Sequence, residues 1–120
     1  MNRFAKRSVQ LVNATVTVTT TFDLGSVLKD FLHLPSIWLE ATENSGTTTC
    51  DVKITGNQDG TNALDLLLMT QLSATGREVK ALPFLAKNMK CVVTLGGAGN
   101  WTIKVYAVGA FCDSQGALSA

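Results

Sequence analysis

Six acidic side chains in the middle of the chain could do acid–base work: Glu40, Glu43, Asp51, Asp59, Asp65 and Glu78. Catalysis by paired carboxylates needs two of them on one wall of a cleft, and no spacing here forces that. Asp51 and Lys53 fall on one outer face of an alternating segment, where cross-strand charge pairing accounts for them. Nucleophilic catalysis would need His33 beside an activated hydroxyl or thiol. His33, the single histidine, precedes Leu34-Pro35, and no G-x-S-x-G elbow occurs in the chain. The sequence therefore predicts a protein that is not an enzyme, with no catalytic residue.

Metal chemistry fares no better. Cys50, Cys91 and Cys112 are widely spaced, with no C-x-x-C pair and the histidine far from all three, so a zinc site is not expected. Their odd number also argues against a disulfide framework. Cys50 and Cys91 fall in phase with apolar neighbours and read as small buried hydrophobes. Asn57, Asp59 and Thr61 place oxygen-bearing side chains at alternate loop positions, as in the first half of a calcium loop. Where such a loop ends in a bidentate acid this one has Leu68, so the cluster reads as a hairpin turn. No metal and no cofactor is expected.

The elements that must position these residues are strands. From Thr47 to Thr55, Cys50, Val52 and Ile54 alternate with polar residues, the cluster Gly56 to Asn62 reverses the chain, and Leu64 to Leu68 leads out. Val12 to Leu24 alternates with Thr15, Thr17, Thr19 and Thr21 as a single long strand, Thr being well suited to a pleated outer face. Residues 24–34 fit a strand or a short helix about equally, and strand is preferred because every neighbour is β. Ser36 to Glu43 is expected to pair with Thr47 to Thr55 across Asn44-Ser45-Gly46. Arg77 to Leu82 follows, with Val79 and Ala81 inward. Met89, Cys91, Val93 and Leu95 form one face of the next strand, and Trp101, Ile103, Val105 and Ala107 one face of the last. Strands spaced this closely, with turn signals between them, predict an all-β antiparallel sandwich of about eight strands, jelly-roll-like in form.

Composition sets the outer bounds. The 120 residues suffice for one core, divided into a basic arm (1–8), a sandwich domain (9–112) and a polar tail (113–120). Charged residues make up only 16%, which suits equally a surface partly covered by other protein and an ordinary Thr-rich β domain. A net charge of +1 argues against specific nucleic-acid binding. No run has the length of a membrane span and the basic start lacks the apolar core of a secretory signal, so cytoplasmic synthesis without membrane association is expected. In the arm, Arg3, Lys6 and Arg7 surround Phe4, a set suited to an acidic protein surface or, weakly, to packaged genome. Trp38 has the opposite parity to Ile37 and Leu39. Either it points outward as a sugar platform, or it sits in the core while Ile37 and Leu39 face a partner.

The order of features resembles a group of small phage virion proteins. The Thr/Val-rich segment Ala14–Thr21, the segment Ile37–Thr55, the loop Gly56-Asn57-Gln58-Asp59-Gly60-Thr61-Asn62, the turn Thr75-Gly76 and the final segment Gly99–Val105 carry the resemblance, which spans residues 12–111. Ala63 stands where those proteins often have an aromatic. The resemblance implies a non-enzymatic virion structural protein, a capsid decoration or cement protein that binds and stabilises the phage head. Its partner would be the major capsid protein or another virion protein, with homo-oligomer or lattice neighbours, and assembly in the host cytoplasm. Arg3, Phe4, Lys6, Arg7 and Trp38 are then the candidate partner contacts. A tail or neck component is the alternative within that class, and a carbohydrate-binding β-sandwich module the alternative outside it.

Overall fold

The computed structural model describes residues 6–24, 34–46 and 48–110, with the backbone alone for Lys6, Arg7 and Ala110. Eight strands run through them: β1 (Lys6–Val16), β2 (Thr20–Asp23), β3 (Ser36–Ser45), β4 (Cys50–Gly56), β5 (Leu64–Leu68), β6 (Gly76–Ala81), β7 (Lys90–Leu95) and β8 (Asn100–Ala110). They form two antiparallel four-stranded sheets, ordered β1-β8-β3-β6 and β2-β7-β4-β5. The pairs β1–β8, β2–β7, β3–β6 and β4–β5 nest one inside another. Such nesting is one long hairpin bent across two sheets, which is the jelly roll. The all-β sandwich read from the sequence is the fold, and the Thr47–Met69 stretch supplies its innermost hairpin.

Alternation builds the core. On β8, Trp101, Ile103, Val105 and Ala107 are fully buried, while Thr102, Lys104, Tyr106 and Val108 occupy the other face. Ile37, Leu39 and Ala41 of β3 join them from the same sheet. Cys50, Val52 and Ile54 of β4, with Cys91 and Val93 of β7, close over them from the opposite sheet. Leu67 and Met69 seal the β5 side.

Four expectations need correction. Val12–Leu24 is not one strand: the chain leaves the first sheet after Val16 and enters the second at Thr20. Val18 is 68% exposed at the crossing, and the Thr20 hydroxyl donates to its carbonyl at 2.8 Å. The Thr/Val alternation has the same period on both sides of the crossing, which hides it. The basic arm is shorter than expected, because Lys6 and Arg7 already pair with Ala110 and Gly109 as the start of β1. Segments β3 and β4 do not form a hairpin. Gly46, at φ +85°, turns the chain from one sheet to the other, and its α-carbon lies so close to Ala98 and Gly99 of the β7–β8 turn that a side chain would collide with them. Finally, Val79 and Ala81 face outward, and Glu78 and Lys80 turn toward the other sheet. The unsettled stretch 24–34 falls, for residues 25–33 including His33, outside the described residues.

The reversal on β6 has a physical cause. Glu78 accepts hydrogen bonds from the Thr70 backbone N–H at 2.7 Å and the Thr70 hydroxyl at 2.6 Å. Lys80 donates from Nζ to the Leu68 carbonyl at 2.8 Å. These bonds tie the edge of one sheet to the edge of the other, where apolar side chains would leave backbone groups unpaired. The Thr70 hydroxyl, then its N–H, holds the Glu78 carboxyl below the ordinary glutamate range. A depressed carboxylate stabilises the fold above its unfolded pKa, and that stabilisation is lost as pH falls through its folded value. Glu78→Gln should therefore destabilise the protein by about 1 kcal/mol at neutral pH. It should also lessen the loss of stability between about pH 6 and about pH 3. Urea unfolding at both pH values reads this, and equal losses in the two proteins would sink the assignment.

Candidate binding face

The two broad faces of the sandwich differ in chemistry. On the outer face of the β2-β7-β4-β5 sheet, charges are matched locally. Lys53 lies 3.0 Å from Asp65, Lys90 lies 3.8 Å from Asp23, and the Gln71 amide donates to Asp51 at 2.9 Å. Such exposed pairs contribute little to stability, and on the same face Leu68, opposite Lys53, is an exposed apolar residue.

The outer face of the β1-β8-β3-β6 sheet is organised in rows across the strands. One row reads Gln10, Tyr106, Trp38 and Val79, each directly opposite its neighbour. Trp38 is 37% exposed and Val79 48%. The next row reads Asn13, Lys104, Glu40 and Arg77. Beyond it Thr15, Thr102 and Thr42 continue the face. An aromatic row thus lies beside a charged row. The rings are also held in place: the Trp38 indole N–H donates to Glu40 Oε2 at 2.9 Å, and the Gln10 amide donates to the Tyr106 hydroxyl at 3.3 Å.

This face carries two depressions that meet at Glu40. One, of about 330 Å³, is lined by Ser8, Trp38, Glu40, Tyr106 and Val108. The other, of about 520 Å³, is bordered by Glu40, Thr42, Thr75 and Arg77. The first is mainly apolar and the second mixed, polar and apolar in about equal measure.

Of the residues singled out from sequence, Trp38 is on this face, while Ile37 and Leu39 point into the core. That settles the parity question in favour of an outward indole. Lys6 and Arg7 belong to β1, and Arg3 and Phe4 lie outside the described residues. Tyr106, Gln10, Lys104 and Arg77 were not singled out as contacts. Their outward parity was readable, but their placement beside Trp38 depends on a strand pairing that joins residues 68 apart in the chain. Trp101 shares no surface with them, being fully buried.

Burial accounts for the two described thiols, and turn geometry for the loop acid. Burial pushes the Cys50 thiol up to about 11, with the Asp51 charge adding to it. Burial likewise pushes Cys91 up to about 12, with Cys50 contributing. Protonated, buried thiols are poor nucleophiles and poor metal ligands. In the β4–β5 loop, Asp59 accepts from the backbone N–H groups of Thr61 and Asn62, both at 2.8 Å, and from the Asn62 amide at 3.2 Å. These bonds hold its carboxyl below the ordinary range, with the Asn62 N–H the largest contributor. The acid is engaged in shaping its own turn. Glu43 Oε2 and the Trp101 indole N–H are buried without a protein partner, at paired positions of β3 and β8, and no third reactive group joins them among the described residues.

No protein-family model matches this chain, and no curated protein is similar to it in sequence. The functional reading therefore rests on the geometry of its surfaces.

Two solution measurements check these assignments. Iodide should quench the emission of Trp38 and spare that of Trp101, so Trp38→Phe should remove most of the quenchable signal. A fully quenchable Trp38→Phe variant would contradict the burial of Trp101. In a Cys112→Ser background, Ellman's reagent should find the other thiols silent in the folded protein and both reactive once it is unfolded. Rapid labelling of the native state would show the thiols to be accessible.

Proposed function

We propose that the chain is a non-enzymatic structural protein of a phage particle, a decoration subunit that binds the outer surface of the head and reinforces it. A jelly roll by itself serves many roles, so the fold only makes the reading admissible. The observation that carries it is β1. This strand spans 11 residues at a sheet edge, and among the described residues no strand pairs with its outer side. An open edge of that length presents a row of backbone donors and acceptors on which a neighbouring protein strand can add. It begins with Lys6 and Arg7, directly after the segment bearing Arg3 and Phe4. Because Lys6 pairs with Ala110, the start of β1 and the end of β8 share one corner of the sandwich. Contacts made by the arm, the edge and the tail would therefore converge on one site of a coat lattice. Each such contact is modest, and repetition over a symmetric shell gives the strength.

The purified protein should bind emptied, undecorated heads and raise the temperature at which they break open. Replacing Arg3→Glu together with Arg7→Glu should weaken that binding by about tenfold or more. Failure of the wild-type protein to bind would overturn the reading.

A further inference from the structure

We propose that the aromatic face of the β1-β8-β3-β6 sheet is a carbohydrate-binding site for a linear, β-linked oligosaccharide of hexopyranoses with equatorial hydroxyls. This site does not depend on the virion reading, since it is formed by side chains of the isolated chain on the broad face of the sheet, whereas that reading rests on the backbone edge of β1.

The argument starts from the chemistry of such a sugar. A pyranose whose hydroxyls are all equatorial has two apolar C–H faces and a polar rim. It needs a flat aromatic surface for a face and mixed donors and acceptors for the rim. Trp38 and Tyr106, opposite one another on adjacent strands, provide the surface. Glu40 in the next row provides an acceptor, with Lys104 on one side of it and Arg77 on the other as donors. The spacing between the rows suits the ligand. Residues two apart on a strand are separated by about 7 Å, close to the width of one sugar ring with its hydroxyls. A ring stacked on the aromatic row thus places its rim over the charged row.

The ends of the track extend this match. The depression at Trp38 and Tyr106 and the one at Thr42 and Arg77 share Glu40 as a common wall. Along β3, Trp38 to Thr42 spans about 13 Å, room for two or three linked rings. A β-linked chain of equatorial sugars is an extended ribbon, which suits an unbroken sheet face better than the coiled chain of an α-linked glucan. The scale also favours a small ligand over a docked protein. The depressions, at about 330 Å³ and about 520 Å³, have the size of ligand sites. A stable protein interface requires about 800 Å² from each partner, with charge depleted at its centre. Here the charged row runs through the middle of the face.

Pre-organisation strengthens the case. Each ring is held by a hydrogen bond at its polar end, from Trp38 to Glu40 and from Gln10 to Tyr106, so binding need not immobilise either of them. The Glu40 carboxylate has a second oxygen available for a hydroxyl donor, since the indole engages Oε2.

Titration of the full chain with chitotriose and cellotriose, following Trp38 emission and heat, tests the proposal. Maltotriose serves as the α-linked control. At least one β-linked trisaccharide should bind saturably with a Kd below about 1 mM, and maltotriose should bind about tenfold more weakly or not at all. Trp38→Ala should abolish the binding, Trp38→Phe should weaken it about tenfold or less, and Glu40→Gln should weaken it without abolishing it. Circular dichroism confirms that each variant is folded. The wild-type titration alone is decisive in one direction: no saturable binding of either β-linked sugar by about 10 mM overturns the proposal. So does binding unchanged in Trp38→Ala. A third result would overturn it as well: the sugars do not bind, yet Trp38→Ala prevents attachment to undecorated heads, which would make the face a protein-docking surface.

Discussion

The period-two alternation of β8 is the constraint on which the rest of the molecule depends. This strand lies between β1 and β3 and pairs with both along most of its length. Its inward residues are closed off completely by the opposite sheet, and its outward residues form the spine of an exposed face. A shift of one residue in its register would send Trp101, Ile103 and Val105 into solvent and draw Lys104 and Tyr106 into the core. Burying even one of those large apolar side chains contributes roughly 1.5–3 kcal/mol, so the native register is strongly selected. The same choice that secures the core therefore also sets Tyr106 beside Trp38. Stability and surface chemistry are two results of one alignment.

The two faces of the sandwich consequently have different standing. On the sheet built around β4 and β7, acids and bases answer each other at close range. On the other sheet, two large rings remain partly open to solvent, and their polar ends are already engaged. Solvent-exposed aromatic groups in a row are unusual on a surface with no role, whereas scattered single apolar residues are ordinary. The third surface, the open edge of β1, is a backbone feature and has no side-chain signature of its own.

What the sequence disclosed follows from which signals are local. The strands near the centre of the sheets, β3, β4, β7 and β8, were legible because each buries a full face and alternates cleanly. The outward turn of Trp38 was likewise contained in its parity against Ile37 and Leu39. The crossing from β1 to β2 was not, since the Thr and Val residues keep the same beat through Thr17–Thr19 while the chain changes sheets. The polarity of β6 misled for a different reason. At that edge Glu78 and Lys80 satisfy backbone groups of Thr70 and Leu68, and this outweighs the preference for turning Val79 and Ala81 inward. The neighbours of Trp38 could not be read because they are set by long-range register, which no local pattern encodes.

The nested pairing also has a consequence for how the molecule comes into being. Lys6, at the start of β1, pairs with Ala110, near the far end of the chain, and β8 occupies an interior position in its sheet. During synthesis, therefore, β1 and β3 emerge early and wait without the strand that joins them. Among the described residues, the hairpin of β4 and β5 is the one pairing between consecutive strands. Topologies dominated by such distant contacts fold slowly, typically in milliseconds to seconds. For that interval the nascent chain presents unpaired edges and the future core to its surroundings. The order of the strands along the ribosome's product thus makes the last of the described strands the one that completes the sheet carrying the aromatic face.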